Sequence, residues 1–550
     1  MSANCVSAAP TSPKNSDVEE IRKSATYHSS VWGNHFLSYT SDVTEITAAE
    51  KEQLEKLKEK VKNLLAQTPD ESTGKMELID AIQRLGVGYH FTTEIQESLR
   101  QIHEGQIRND DDDVRVVALR FRLLRQGGYR APCDVFEKFM DDGGNFKESL
   151  KKDVEGMLSL YEASYYGIDG EEIMDKALEF SSSHLESMLH NISTKTNKSL
   201  LRRLQEALDT PISKAAIRLG ATKFISTYRE DESHNEDILN FAKLDFNILQ
   251  KMHQEEANYL TRWWEDLDLA SKLDFARDRM VESYFWSLGV YFQPQYRTSR
   301  IYLTKIISIV AVIDDIYDVY GSFDDLRSFT DVIQSWKISN ADELPPYMRI
   351  CFEALLGIYE DMGDRIGAPY AIDTMKELVD TYMQEAEWCY TEYVPTVDEY
   401  MKVALVTGGY LMVATTFLTG INNITKKDFD WIRNRPRLLQ VAEVLTRLMD
   451  DIAGHGTEKK TTAVSCYMKE YECSEMEASR ELSKQVKKAW KDLNDEWMEP
   501  RSSSAEIIGC IVNMSRVLHI MYSTGDDGFS DSSTRTTQAV KTLLVDHPMN

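Results

Sequence analysis

The chain has 550 residues, 63 basic and 90 acidic, for a formal charge of −27, and its length allows about three or four average domains or two large ones. Such an acidic chain, without a clustered Lys/Arg stripe, repels a phosphate backbone, so no nucleic-acid partner is expected. Thirteen prolines and 26 glycines are few for this length and argue against a fold built from many tight turns.

Residues 1–20 read as a Ser/Pro-rich tail. They lack the apolar stretch of a secretory signal, and one lysine, no arginine and three acids do not suit a transit peptide. Beyond them apolar residues recur at helical spacing, as in Leu54, Leu57, Val61 and Leu64. Short polar breaks follow at Gly127-Gly128, from Asp141 to Asn145 and from Gly167 to Gly170. Strand alternation, hairpin dipeptides and a 30–40-residue repeat are missing, so the expected class is all-α without being a solenoid. The charged stretch Arg229 to Glu236 (REDESHNE) is the expected junction between two helical domains, 21–235 and 236–550. No unbroken apolar run reaches eighteen residues, so no membrane span is expected. Seven scattered cysteines without a C-x-x-C pair suit a reducing compartment, and a cytoplasmic location is expected.

The chemistry concentrates in the second half. From Ile306 a nearly continuous apolar helix runs into Asp314, Asp315 and Asp318. Asp314 and Asp318 stand at i and i+4, about 5–6 Å apart on one face. Two like charges there oppose a helix unless a cation lies between them, and carboxylate oxygens are hard ligands suited to Mg2+. An acidic helix C-terminus is unfavourable with the helix dipole, which argues against a merely solvated end. A second apolar helix, LTRLMDDIAGHGTE (445–458), ends in Asp450, Asp451 and Glu458, with Asp450, Gly454 and Glu458 at i, i+4 and i+8 and so expected on one face. Upstream, Arg277 and Arg279 flank Asp278 just before Tyr284-Phe285-Trp286. Their i, i+2 spacing suits a loop, and guanidinium groups fork onto phosphate oxygens.

These pieces, in this order, resemble plant class I terpene synthases of the angiosperm sesquiterpene synthase subgroup. RKSATYHSSVWGNHF (22–36) is similar to the family's tandem-basic-x8-Trp segment, DDIYD (314–318) to its aspartate-rich motif and DDIAGHGTE (450–458) to its second metal motif. Further family-like strings are ALRFRLLRQGGY (118–129), FAKLDFNILQKMHQEE (241–256) and RDRMVESYFW (277–286). The resemblance implies an N-terminal α-barrel domain without chemistry of its own and a C-terminal catalytic helical bundle. It implies three Mg2+ ions, with Mn2+ as a substitute. Asp314, Asp318, Asp450 and Glu458 are the implied ligands, with Asp315 supporting them and Gly454 where the family carries Ser or Thr. It implies diphosphate contacts from Arg277, Arg279, Arg447 and Lys460. The implied pocket comprises Trp286, the Thr407-Gly408-Gly409 helix break, Tyr410, Tyr522 and Phe529, with Asp527 alongside Tyr522.

Three departures stand out. Gly454 has no side-chain oxygen, the stretch after Glu458 is shortened around Lys459 and Lys460, and Phe529 replaces a common tyrosine. NDDDDV (109–114) contains D-x-D-D but reads as a solvated acidic loop. Without a transit peptide, the implied substrate is farnesyl diphosphate, acted on by a monomeric sesquiterpene synthase. The alternatives are a monoterpene synthase using geranyl diphosphate and a catalytically weakened, non-enzymatic helical paralogue. A chain-elongating prenyltransferase would want two full D-D-x-x-D motifs.

Overall fold

The computed structural model describes residues 27, 29–69, 72–105, 112–191, 198–456, 460–498, 504–523, 525, 527–531 and 535–546. The expected N-terminal tail, the basic pair Arg22-Lys23, and Thr457, Glu458 and Lys459 lie outside the described residues. Among the described residues the fold is helical throughout, with one isolated bridge between Met140 and Phe146 and no strand.

Helices that bear on function are numbered in chain order. In the N-terminal half, α1 (Thr73–Arg84) begins where Ser72 accepts from the Lys75 N–H at 3.1 Å, a side-chain cap for an otherwise orphaned donor. Its Met76, Ile79 and Ile82 are buried at i, i+3 and i+6, the stripe that an amphipathic helix turns to a core. α2 (Val114–Gln126) and α3 (Val154–Ser164) pack beside it. Charge as well as apolar surface joins the three. Asp80 of α1 meets Arg84 at 2.8 Å and Arg122 of α2 at 2.5 Å, and both arginines also face Glu162 of α3. Burial works against the Asp80 carboxylate, yet Arg122 and Arg84 hold it down at about 2.

α4 (Ile217–Arg229) ends the N-terminal half, and the charged stretch after it is a short turn. α5 (Glu236–Leu267) then opens on Asn235, which caps Ile238 N at 3.2 Å. This long helix fastens the halves together. Asp245 accepts from Tyr89 Oη at 2.6 Å and faces His90 Nε2 at 2.8 Å, while Asn258 donates to the carbonyls of Phe36 and Leu37. Farther along, Glu256 pairs with Arg300 at 2.6 Å, with both side chains wholly buried. Tyr284 adds a hydrogen bond to Glu256 at 2.8 Å.

The C-terminal half is a ring of helices. α6 (Met280–Val290) packs on α7 (Arg297–Asp315), α7 on α10 (Tyr410–Thr419), and α10 on α8 (Ala368–Tyr390). α8 continues to α9 (Val397–Thr407), α9 to α11 (Arg437–Gly454), α11 to α12 (Ala505–Tyr522), and α12 returns to α6.

The stretch Val397–Thr419 is long and apolar enough to cross a membrane by length and composition alone, although Asp398, Glu399 and Lys402 interrupt its apolar run. It is broken between α9 and α10, and 72% of its most apolar window is buried inside the protein; α10 is buried along its whole length, whereas α9 keeps a polar face with Asp398, Glu399 and Lys402 exposed.

Candidate active site

α7 delivers the first acid cluster. Its Leu303, Ile306, Ile309, Val312 and Ile313 are fully buried, which fixes the rotation of the helix end. Beyond Asp315 the helix widens into a π turn, Ile316–Tyr320, closed by Gly321 N to Ile316 O at 2.8 Å. The regular i, i+4 helix expected through Asp318 is therefore replaced by an i, i+5 turn, a geometry that recurs at functional sites. Asp314 and Asp318 remain accessible, with side chains 20% and 17% exposed, whereas Asp315 is wholly buried.

Arg277 explains Asp315. It lies in the loop before α6, as its spacing from Arg279 suggests. Its backbone N–H donates to Asp315 Oδ2 at 2.7 Å, its Nε stands 2.9 Å from Asp315 Oδ1, and its Nη2 donates to Asp314 Oδ2 at 2.5 Å. Burial nevertheless pushes the Asp315 carboxyl up to about 6, with Asp314 adding to the rise and Arg277 opposing it. Nη1 of Arg277 reaches Ser530 Oγ at 3.0 Å, and the ring of Tyr27 covers its guanidinium at 5.1 Å.

α11 delivers the second cluster. Asp451 is buried and structural, held by Tyr400 Oη at 2.9 Å and Ala463 N at 2.7 Å. Asp450 turns toward the gap and is bonded by Arg447. Burial pushes Asp450 up to about 6, Arg447 and Lys460 pull against that, and Asp527 and Asp451 add to it. The helix stops at Gly454, and Gly456 follows in the left-handed region at φ +82°. Of the face expected through Asp450, Gly454 and position 458, the described helix carries Asp450 and Gly454, the left-handed Gly456 follows its end, and Glu458 lies outside the described residues.

The two clusters face each other. Lys460, just beyond α11, donates to Asp318 Oδ2 at 3.0 Å. Glu385 of α8, which sequence reasoning missed, joins them between Asp318 and Arg447. Burial pushes its carboxyl up to about 7, Asp318 reinforces that, and Arg447 and Lys460 oppose it. A single glutamate on an amphipathic helix carries no local signal, so only the fold reveals it. Tyr522 at the end of α12 lies in the field of Asp450, Asp527, Arg277 and Arg447 together.

The remaining candidates divide by what they touch. Arg279 donates to its neighbour's carbonyl at Asp278 and to the carbonyls of Phe529 and Ser530 at 3.1 and 2.7 Å. In this arrangement it grips the C-terminal turn. Asp527 shapes the same turn by accepting from the N–H groups of Phe529 and Ser530, both at 3.0 Å. Phe529 meets Trp286 edge to face at 6.0 Å, and the Trp286 indole N–H has no hydrogen-bond partner among the described residues. Tyr410 is buried with its hydroxyl bonded to Ile511 O at 2.7 Å and close to Ser515 Oγ at 2.8 Å. Thr407 donates to Glu385 at 2.8 Å. Between α9 and α10, Gly409 adopts φ +68°, a left-handed conformation that costs other residues about 1–2 kcal/mol. Gly409→Ala is expected to lower unfolding stability by that amount, as checked by denaturant melts.

Among the described residues no three carboxylates converge on a single point. Asp314, Asp318 and Asp450 instead face a shared gap in ones and twos, each now neutralised by Arg277, Lys460 or Arg447. Such a donor set fits Mg2+, which keeps several waters and binds through one or two carboxylates plus substrate phosphate oxygens. A cleft of about 540 Å3 between the halves contains none of these acids, so donor chemistry rather than volume locates the site.

Comparison with known proteins identifies the family. Residues 31–208 match the family model described as terpene synthase, N-terminal domain, and residues 265–492 match that of the terpene synthase family, metal binding domain. The chain is 60% identical to (-)-germacrene D synthase of Origanum vulgare, covering 99% of this chain and 98% of that one. It is 51% identical to beta-caryophyllene synthase of Lavandula angustifolia, covering 98% and 99%. Among solved structures, limonene synthase with 2-fluorolinalyl diphosphate superposes with a TM-score of 0.89 at 32% identity, covering 96% of this chain and 100% of that one. Isoprene synthase of Populus x canescens, in complex with three Mg2+ ions and dimethylallyl-S-thiolodiphosphate, gives 0.84 at 32% identity, covering 93% and 99%. With both halves matched and the acid-bearing ends of α7 and α11 facing each other, the chain belongs to the terpene synthase family and carries that family's divalent-metal-binding domain.

Proposed function

We propose that this protein is a sesquiterpene synthase that ionises farnesyl diphosphate with three Mg2+ ions, or Mn2+ in their place, and releases a cyclic sesquiterpene and diphosphate. The observation that carries the reading is the salt bridge from Lys460, next to the second acid cluster, to Asp318 of the first. It brings both clusters to one gap. Relatives named for germacrene D and caryophyllene, at 60% and 51% identity, support a fifteen-carbon substrate and make germacrene D the first product to seek.

When bound, the divalent ions supply Lewis-acid stabilisation of the departing diphosphate. The protein's residues do the rest. Asp314, Asp318 and Asp450, with Glu458 from outside the described residues, would hold the ions, and Glu385 would add a carboxylate beside Asp318. Arg277, Arg447 and Lys460, which neutralise the carboxylates in the free protein, exchange those partners for phosphate oxygens. Local positive charge then outweighs the chain's −27. Arg279 and Asp527 fix the turn that carries Phe529.

The organic cation needs a dry, unreactive wall. Trp286 and Phe529 present ring surfaces, and Tyr410 keeps its hydroxyl engaged with Ile511. Aromatic faces stabilise a cation by about 0.5–2 kcal/mol each. Tyr27 over Arg277 and Trp32 bonded to Glu282 at 3.1 Å bring the N-terminal segment across the site, where it limits premature capture by water. Trp286→Leu is expected to lower kcat about tenfold, in keeping with the loss of one such face, and to raise the acyclic share of product. The N-terminal half serves as scaffold, and the enzyme works as a monomer in the cytosol, where free cysteines such as Cys351, Cys466 and Cys510 persist.

Incubating the purified protein with farnesyl diphosphate and Mg2+, followed by gas chromatography with mass detection, tests the reading. A cyclic C15 hydrocarbon or alcohol supports it. A longer diphosphate would indicate elongation, a clear preference for geranyl diphosphate a monoterpene synthase, and no turnover a non-enzymatic paralogue.

A further inference from the structure

We infer that the cleft between the two halves is a second ligand site, one that takes a small amphipathic anion with an apolar body and a single carboxylate or phosphate head. The cleft measures about 540 Å3 and is walled by α1 and α4 on one side and α12 and the segment after α6 on the other. That volume falls within the usual range of small-molecule sites, about 300–1,000 Å3. Tyr291, Phe292, Phe224 and Ile217 supply apolar and aromatic wall.

The charge of the wall is opposite to that of the protein. Five cations, among them Arg84, Arg203 and Arg535, line the cleft against two carboxylates, Glu162 and Glu206. Most of these are already paired: Arg84 with Asp80 and Glu162, and Arg535 and Lys223 with Asp209. Arg516 of α12 differs. It donates through Nε to Ser213 O at 3.0 Å and through Nη1 to Asn513 Oδ1 at 2.9 Å, and it has no carboxylate partner among the described residues. A guanidinium taken from water without a counter-charge is costly, and burial lowers its proton affinity. Nearby Gln293, only 8% exposed, leaves its side-chain oxygen without a partner. An anion beside Arg516 relieves the first cost, and water carried in with the head group, or the remaining O–H of a phosphate monoanion, satisfies the second.

This site is independent of the catalytic assignment, since it shares no acid cluster with it. Ligand seated there touches both halves, so binding stabilises the folded chain by mass action.

The test uses the full chain in EDTA, which leaves the acid clusters without metal, with octanoate and octyl phosphate titrated by isothermal calorimetry and followed by thermal shift. Expected is saturable one-site binding of at least one probe with a raised Tm, and at least tenfold weaker binding of uncharged octanol. Arg516→Met should weaken binding at least tenfold, while Asp314→Ala leaves it unchanged. Gly220→Phe provides a second variant that keeps every charge. A Cβ at Gly220 meets only Ala215 Cβ at 4.0 Å, so the larger side chain enters the cleft and blocks it. Whichever head group binds more tightly identifies the natural chemistry. No saturable binding of either probe, binding lost in Asp314→Ala, or undiminished binding in both Arg516→Met and Gly220→Phe would overturn the inference.

Discussion

Asp314→Ala is expected to lower farnesyl diphosphate turnover by about three to four orders of magnitude, equivalent to about 4–5 kcal/mol of transition-state stabilisation, while leaving the fold intact. The side chain is 20% exposed and its protein contact is Arg277. Arg277 keeps its second carboxylate, Asp315, so the substitution orphans no buried charge. The loss falls on charge assembly around the departing diphosphate, which is needed only when the C–O bond breaks. Circular dichroism melts within about 1 kcal/mol of wild type, with single-turnover rates reduced as stated, are the expected pair of results. Near-normal turnover would remove Asp314 from the site.

Arg277→Met has a different signature, because stability falls along with activity. Arg277 faces Asp315, whose side chain is wholly buried, and Asp314 together. Removing one partner of a buried pair costs about 3–5 kcal/mol, since the other charge is left uncompensated. The pH dependence follows from Asp315, which burial raises to about 6 from its ordinary 3.8. A carboxyl that binds its proton more tightly folded than unfolded makes stability fall as pH rises between those two values. Without Arg277 the folded value rises further, so the variant should lose more stability between pH 5 and 8 than wild type does. The double variant Arg277→Met/Asp315→Asn should recover stability and lose the steep pH slope, yet stay inactive. Unfolding curves at both pH values, measured without metal, check the first part, and turnover the second.

Much of this site is legible in the amino-acid sequence for physical reasons. An apolar run ending in acids at Asp314 and Asp318 is an electrostatic problem that a cation solves, and α7 buries its run and leaves those two carboxylates accessible. The glycine pair at 408 and 409 signals the break between α9 and α10, because φ +68° suits glycine. The π turn after Asp315 is not legible, since an apolar stripe does not separate an i+4 from an i+5 turn over five residues. The end of α11 at Gly454 is a case where face counting runs past two glycines that stop the helix. Arg279 and Glu385 show the other limit. The first spends its donors on carbonyls some 250 residues away in sequence, and the second is drawn into the acid cluster by the placement of α8. Neither arrangement leaves a local pattern.

Calorimetric titration of the free protein with inorganic diphosphate, with and without Mg2+, tests most directly whether two facing acid clusters build the site. Tight diphosphate binding should require Mg2+ and should be lost when either Asp314 or Asp450 is replaced by alanine. Equally tight binding in EDTA, or binding untouched by both substitutions, would contradict the account.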